Sequence, residues 1–401
     1  MELNKRLFVR SNRDLPFYCN PVVLFAIVWS IMLFTLSFHI SYESYPDMSL
    51  PLLLFGISLV ALLLGYWGWL FLVPASSTSE DGVAYILSVT KLRKLTAIFV
   101  LVALAIMILN VKVDGLPPAL GLLSFDTKMY LEYGRLKQLL FPLLITLVVN
   151  SLLEPMKLRR YMVMAFGLLA MLLYITRGEI LASLLQAFFV FSMTTKLKRR
   201  KLVLVSGMVA LGLALAASII GNNRTAQASF FEVLQIKQQF REWPMTSLWI
   251  ISYFSIPLSN LCWIVRDFHF ETATLSFLYP ALPAFWTPAG GAHDTAFSSS
   301  HVIDGVHTYI ANYYMDMSFV GVVLGNLVLG VGCAIIVRRG IGRHFLTSAI
   351  FLGCMAYIFF VDNFIPLSTL LQFAIQGYVQ SYVLKQSKTV VAHTRSVHAV
   401  A

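Results

Sequence analysis

The 401-residue chain is 58% hydrophobic and 12% charged, and its mean hydropathy is +0.76. Soluble domains carry about 25% charged residues, so this composition excludes a soluble enzyme and predicts an all-α, multi-spanning membrane protein. The net charge of +11 would indicate a nucleic-acid partner in a soluble protein. Here the membrane topology explains it, and we expect no nucleic acid to bind.

Ten stretches of the chain have the length and apolar character of transmembrane helices, which need about 20 apolar residues. The basic N-terminus leads into the first stretch without the small-residue pattern of a cleavage site, so we predict no removable signal peptide. The predicted spans are 17–38, 50–73, 95–111, 138–153, 161–176, 179–195, 202–221, 318–337, 345–361 and 364–384.

The positions of lysine and arginine predict the orientation, because these residues accumulate in cytoplasmic loops. Basic clusters such as Lys91 to Lys94 and Lys196 to Lys201 lie on the same side as the N-terminus. Both termini are therefore predicted to be cytoplasmic. The chain then divides into a bundle of seven spans (1–221), a large outer loop with interfacial helices (222–317), three C-terminal spans (318–385) and a cytoplasmic tail (386–401).

The large outer loop concentrates polar and aromatic side chains. A loop of this length is either functional or disordered, and its aromatic content argues against disorder. We therefore predict a folded cap over a membrane cavity, with the active site beneath it. Within this loop, residues 245–265 are apolar, but Pro257 and Asn260 make a straight span unfavourable. We predict an interfacial or re-entrant segment there.

Arginines on the outer side are informative because the positive-inside rule disfavours them there. Arg177 lies in a short turn between two spans, and Glu179 opens the next helix. A guanidinium group grips phosphate in a bidentate way, whereas the alternative is a contact with Glu179 or a lipid headgroup. Arg224 and Arg241 are further candidates for binding a diphosphate. The alternative for Arg224 is an interfacial anchor, and the alternative for Arg241 is a solvated or ion-paired side chain.

The candidate general bases are histidines of the outer loop, because imidazole titrates near neutral pH. His307 and His301 precede the eighth span, and Asp316 is a candidate for orienting one of them. If the chain before that span is helical, Tyr309, Asn312 and Asp316 share one face and point toward the cavity. A surface or structural role is the alternative for each histidine.

Metal and redox chemistry are not indicated by the sequence. The two histidines lack a third ligand at a recognisable spacing. The four cysteines form no C-x-x-C pair, and we interpret them as small apolar fillers. We expect neither a metal nor a cofactor.

Three sequence elements resemble those of the Wzy-type polymerases, which join O-antigen or oligosaccharide repeat units in bacterial polysaccharide export. The first is the turn in Ile175-Thr-Arg-Gly-Glu-Ile-Leu181. The second is the proline-aromatic element Tyr279-Pro-Ala-Leu-Pro-Ala-Phe-Trp-Thr-Pro288. The third is Ala311-Asn-Tyr-Tyr-Met-Asp-Met-Ser-Phe-Val-Gly321, which leads into a span. The chain departs from the family at Met317-Ser318, where an aromatic residue followed by glycine is common.

The resemblance implies a GT-C-like glycosyltransferase of the bacterial inner membrane that works without a metal. Its donor and acceptor would both be undecaprenyl-diphosphate-linked glycans, and its membrane partners would be a chain-length regulator and a flippase. The residues to which the resemblance and the patterns above point are Arg177, Arg224 and Arg241 for the diphosphate, His307, His301 and Asp316 for catalysis, and Trp286, Tyr279, Tyr309 and Asn312 for the sugars.

Two other classes of function stay open. An O-antigen ligase has a similar outer loop and outward arginines, but it transfers finished polymer to the lipid A core. A lipid-linked glycan flippase or secondary transporter is disfavoured, because the predicted spans hold no Asp, Glu, Lys or Arg well inside them and transport pathways usually need some. Paired broken helices, which mark many transporters, are also not found in the sequence.

Overall fold

The structure is a computed structural model in which α-helices dominate, in agreement with the predicted helical class. A small β-sheet, which the sequence did not predict, is the exception. The described residues are 4–10, 14–73, 83–114, 117, 134–174, 176–195, 197–198, 200–205, 207–208, 212, 231–232, 234–268, 275–282, 308–341, 344–359 and 364–386.

Every predicted span except 202–221 overlaps one of the helices below, and that span is described as helical at its start, over residues 200–205. The helices are α1 (Pro21–Leu36), α2 (Ser49–Leu72), α3 (Val89–Asp114), α4 (Gly134–Ser151), α5 (Lys157–Leu173), α6 (Arg177–Thr194), α7 (Met245–Asp267), α8 (Ile310–Arg339), α9 (Phe345–Ala356) and α10 (Leu367–Val383). By length and composition, α2, α3, α7 and α8 are able to cross a membrane. The shorter α1, α4, α6 and α9 are also apolar, so the described helices indicate a membrane-embedded protein.

Local sequence accounts for several helix boundaries. Asn20 caps α1, because its Oδ1 accepts a hydrogen bond from the Val22 amide at 3.0 Å, and Pro21 occupies the first helical position. Helix α8 ends at Arg339, and the next residue, Gly340, has a φ of 83°, a left-handed conformation that favours glycine.

A three-stranded antiparallel sheet joins distant parts of the chain. Strands β1 (Asn4–Val9), β2 (Val83–Ser88) and β3 (Leu384–Gln386) lie in the order β1-β2-β3, and Asn4 pairs with Ser88. These strands come from the N-terminus, the connection between α2 and α3, and the residues after α10. All three segments are predicted to be cytoplasmic, so their association agrees with a common side.

Other predicted cytoplasmic segments meet at this sheet end of the bundle. The Arg10 Nε donates to the Thr195 carbonyl oxygen at 3.0 Å, which joins the residues after β1 to those after α6. The Arg338 Nη1 donates to the Leu70 carbonyl oxygen at 3.2 Å, which joins the ends of α8 and α2.

A carboxylate with two arginines also lies at the sheet end. Arg93 donates to both carboxyl oxygens of Glu154, at 2.8 and 3.2 Å, and Arg159 lies 3.8 Å away. Burial raises the pKa of Glu154, but the hydrogen bonds from Arg93 and the Met156 amide, with the charges of Arg93 and Arg159, outweigh burial. The pKa of this carboxyl therefore lies below its usual value.

The described outer-loop residues contact the opposite end of the bundle. The Lys237 amide donates to the Ile40 carbonyl oxygen at 2.9 Å, and the Tyr42 amide donates to the Gln235 carbonyl oxygen at 3.0 Å. Residues 40 and 42 follow α1, which begins near the sheet. We call this second end the cap end.

Close backbone packing joins α2 to α8. A Cβ atom added to Gly65 would lie 2.1 Å from the Leu327 carbonyl oxygen, and one added to Gly330 would lie 2.0 Å from the Leu62 carbonyl oxygen. Small residues at such crossings let two membrane helices approach closely. Only glycine therefore fits at both positions, because any side chain would collide with the facing backbone.

Helix α7 covers residues 245–265 of the outer loop, where the sequence predicts an interfacial or re-entrant segment and not a straight span. It is continuous over 23 residues in spite of Pro257, and it is long and apolar enough to cross a membrane. In its most apolar window, however, 67% of the residues are buried inside the structure. Protein, more than lipid, therefore surrounds this helix.

The contacts of α7 lie at the cap end along much of its length. Leu248 shares a buried apolar cluster with Ile40. Farther along, Ser259 Oγ accepts a hydrogen bond from the Tyr45 amide at 2.8 Å, and the Trp263 indole donates to the Glu43 carbonyl oxygen at 2.8 Å. These contacts are compatible with a helix that lies across the cap end, and the interfacial placement stays a prediction.

Candidate functional site

The described part of the cap has an apolar core that attaches it to the bundle. Ile236, Phe240 and Leu248 are buried in one cluster with Ile40, which follows α1. The rings of Phe240 and Trp243 pack edge to face at 5.1 Å. These residues of the outer loop are folded against the cap end.

Helix α8 contains a sharp kink near its start. Met317 and Ser318 leave helical geometry, and Ser318 has a φ of 54° and a ψ of −148°. Such a conformation at a residue other than glycine costs about 1–3 kcal/mol and persists only where the surroundings enforce it. Ser318 is also the place where the resemblance to the polymerase family expects glycine, the residue that adopts positive φ most readily.

The two parts of α8 lie side by side in opposite directions. A Cβ atom added to Gly321 would lie 2.0 Å from the Tyr313 carbonyl oxygen, and Gly325 packs against the Tyr313 ring. Farther along, the Tyr309 hydroxyl donates to Asn326 Oδ1. Residues 310–316 and 319–326 therefore form a helical hairpin, with the kink as its turn.

Asp316 lies directly before this turn and is fully buried. Ser276 Oγ donates to its Oδ1 at 2.5 Å, and the Phe277 amide donates to its Oδ2 at 2.6 Å. Both donors belong to a 3₁₀ helix, Ser276–Ala281, in which the proline-aromatic element begins with Tyr279. The carboxyl group therefore links two of the three family-like elements. Its predicted action on a histidine is untested, since His301 and His307 lie outside the described residues.

The helical lead-in expected before the eighth span is present, because α8 begins at Ile310. Tyr309 is buried, and its hydroxyl bonds to Asn326, whose Nδ2 in turn donates to the Val322 carbonyl oxygen at 2.8 Å. Asn312 is half-buried. Tyr309 and Asp316 thus make contacts to protein groups, and the sugar-binding roles of Tyr309 and Asn312 stay predictions.

Arg177 is the first residue of α6, and the structure describes its backbone but not its side chain. The next residue, Gly178, lies beside Tyr357: a Cβ atom added to Gly178 would lie 3.5 Å from the Tyr357 hydroxyl oxygen. The Tyr357 ring packs on Phe359 at 5.6 Å, and Phe359 packs on Phe254 of α7 at 4.4 Å. This series of contacts connects the start of α6 to the cap helix α7.

Of the other predicted diphosphate ligands, Arg241 lies on the exposed surface of the cap. Its Nε donates to the Ile236 carbonyl oxygen at 3.3 Å, and its guanidinium group lies 5.7 Å from the centre of the Phe231 ring. These contacts hold the side chain to the cap, and the diphosphate role of Arg241 stays a prediction. Arg224 lies outside the described residues, as does the proposed sugar contact Trp286, while Tyr279 is half-buried.

The described residues include no group of three or more His, Cys, Asp or Glu side chains placed to hold a metal ion. The four cysteines form no disulfide and are buried, as expected of apolar fillers.

Sequence reasoning missed Ser276 and Asn326, which hold Asp316 and Tyr309 in place. Asn326 carried a usable signal, since an amide in the middle of an apolar run needs an internal partner. Ser276 carried none, because its partner is 40 residues away in the chain.

Comparison of the chain with protein-family models, curated proteins and solved structures gives no significant match. The resemblance to the Wzy-type polymerases therefore rests on the three short sequence elements alone.

Proposed function

We propose that this chain is a membrane glycosyltransferase that polymerises undecaprenyl-diphosphate-linked oligosaccharide repeat units at the outer face of the bacterial inner membrane. In this proposal the chain has ten spans, both termini are cytoplasmic, and the cap end faces the periplasm. The observation that carries the proposal is the attachment of the proline-aromatic element to the α8 hairpin through Asp316. It brings two polymerase-like elements together at the cap end.

The start of α6 supports a site for an anion near the cap. Arg177 opens the helix, so its positive charge adds to the partial positive charge of a helix N-terminus. The contacts through Tyr357 and Phe359 to Phe254 connect this turn to α7. A diphosphate at the lipid surface is the anion that a lipid-linked glycan carries.

The proposed reaction transfers the growing glycan from one lipid diphosphate to a sugar hydroxyl of another repeat unit. The hydroxyl oxygen forms a bond to the anomeric carbon, and the bond from that carbon to the diphosphate oxygen breaks. The electron pair leaves with the diphosphate, where Arg177 would stabilise the developing charge. The hydroxyl proton passes to His307 or His301, and Asp316 positions the cap over the site.

The proposal is tested by Arg177→Ala in cells that lack the wild-type gene. Loss of one stabiliser of a leaving anion lowers a rate by about 100- to 1,000-fold, so we expect single repeat units in place of long surface polysaccharide on a gel. Arg177→Lys should restore part of the length, because lysine keeps the charge but not the bidentate grip. Immunoblots should show unchanged protein levels.

Arg266→Ala is the matched control, because Arg266 is an exposed cap arginine that contacts Asp267 at 3.6 Å. It should give normal polymer. Long polymer from Arg177→Ala would contradict the proposed role. In a deletion strain, single repeats indicate a polymerase, trapped lipid-linked polymer indicates a ligase, and bare core indicates a flippase or an earlier enzyme.

A further inference from the structure

One face of α10 is polar, although it points into the bundle. Thr369, Gln372, Gln376 and Gln380 follow one another at intervals of three or four residues, which places them on the same face of a helix. The first three are buried, and Gln380 is half-buried. We call these four residues, together with Gln186 of α6, the glutamine stripe.

The amides of the glutamine stripe have more hydrogen-bonding atoms than the surrounding protein satisfies. Gln186 Nε2 donates to Gln372 Oε1 at 2.8 Å, but Gln186 Oε1 has no partner among the described residues. The same holds for both amide atoms of Gln376, a residue that is only 1% exposed. Two donor hydrogens and two acceptor oxygens are thus left over at neighbouring positions.

A dry environment does not explain these side chains. An amide that is buried without a partner loses its hydrogen bonds to water and receives none in return, and apolar residues would fill the same space at no such cost. Internal water resolves the conflict, because one buried water molecule makes about three hydrogen bonds to otherwise unsatisfied groups. The polar groups of the stripe are neutral, which favours an uncharged molecule over an ion.

We propose that the glutamine stripe binds a short chain of water molecules that enters the bundle from the sheet end and reaches Gln186. Gln380 marks the mouth, since it is half-buried and its Oε1 accepts a hydrogen bond from the Leu346 amide at 3.2 Å, at the start of α9. From Gln380 to Gln372 the stripe rises about 12 Å along α10, which is room for about four water molecules in line. This water site does not depend on the proposed transferase activity.

Thiol labelling tests the proposal in the full chain. In a variant whose four natural cysteines, all buried, are replaced by alanine, Gln380→Cys, Gln376→Cys and Tyr378→Cys are made one at a time. Tyr378 is the matched control, because it lies at nearly the same height as Gln376 on the opposite, outward face of α10 and is 54% exposed. Each protein, in lipid nanodiscs, is treated with a small, uncharged methanethiosulfonate.

The reagent attacks the thiolate, which forms only where water reaches the sulfur. We expect Gln376→Cys to react at least about tenfold faster than Tyr378→Cys, and Gln380→Cys to react faster still. Equal or slower reaction at position 376 than at 378 would overturn the proposal.

A second measurement uses the unmodified protein, so the proposal remains testable if a cysteine variant does not fold. A cryo-EM map at a resolution that shows ordered water should contain density within hydrogen-bond distance of both Gln376 amide atoms. An empty space there, or an amide bonded only to protein, would overturn the proposal.

Discussion

The Asp316 carboxyl group is the contact through which the proline-aromatic element can be loosened most selectively. Asp316→Asn keeps one acceptor oxygen but turns an NH₂ group toward one of the two donors, Ser276 Oγ or the Phe277 amide. The Ser276 hydroxyl can turn and accept a hydrogen bond from that NH₂ group, but both contacts then lose the carboxylate. Replacing two charge-assisted hydrogen bonds with neutral ones costs about 1–3 kcal/mol in total. Local opening of residues 275–282 should become more frequent by roughly 5- to 150-fold.

Hydrogen exchange measured by mass spectrometry reports this opening directly. In Asp316→Asn, the peptide that covers residues 275–282 should exchange its amide hydrogens roughly 5- to 150-fold faster than in the wild type. The exchange rates of peptides from β1 and β2 should be unchanged. Ser276→Ala is the matched variant, because it removes one donor and leaves the bond from the Phe277 amide to Oδ2 in place. Its effect should be of similar size, because one hydrogen bond to the buried carboxyl group is lost outright. Wild-type exchange of residues 275–282 in Asp316→Asn would refute the reasoning.

The same pair of variants separates a positioning role from proton transfer. If Asp316 acts by holding the cap, Ser276→Ala should shorten the surface polymer as well, in proportion to its faster exchange. If Asp316 takes part in proton transfer, Asp316→Asn alone should shorten the polymer, and Ser276→Ala should leave its length normal.

Two further predictions concern the stability of the bundle. Glu154→Gln should lower the melting temperature at pH 7. Because the folded-state pKa of Glu154 is lowered, its stabilisation is present above the unfolded pKa of about 4.3 and is lost as the pH falls further. The gap to wild type should therefore shrink below that pH, and a constant gap down to about pH 3 would contradict the assignment. Gly65→Ala should destabilise by about 1–3 kcal/mol in thermal melts, since its methyl group would meet the Leu327 carbonyl oxygen. Gly68→Ala, with nothing within 4 Å, should be neutral or stabilising, and equal effects would refute the packing argument.

Much of the helical architecture could be predicted because apolar runs of sufficient length have few other folds in lipid. The small sheet could not, since β3 is three residues long and its pairing with Tyr85 joins segments about 300 residues apart. Pairing of that kind depends on where the helices bring their ends. The basic clusters predicted which segments share a side, but carried no information on strands.

For the candidate site, the limits of sequence reasoning are similar. The kink at Ser318 was visible only as a departure from the expected glycine, because φ is a property of the folded chain. The partners of Asp316 were not foreseeable, since Ser276 and Phe277 have no helical or strand spacing to it. Helical periodicity predicted the shared face of Tyr309 and Asp316 without predicting that protein groups would occupy that face.

The glutamine stripe changes how the transporter alternative is judged. That alternative was disfavoured because the spans hold no charged residue well inside them, yet a count of charges does not register neutral amides such as Gln186 and Gln376. A transport pathway has to be open toward both ends of the bundle. The stripe has its half-buried residue, Gln380, at the sheet end, whereas Thr369 in the first turn of α10 is buried. A water-filled cavity that is open only at the sheet end is an inlet and cannot serve as a transport pathway. The transporter hypothesis would be favoured again by a labelling experiment in sealed vesicles with a membrane-impermeant thiol reagent. The result required is that reagent applied from the cap end labels Thr369→Cys as fast as reagent applied from the sheet end labels Gln380→Cys.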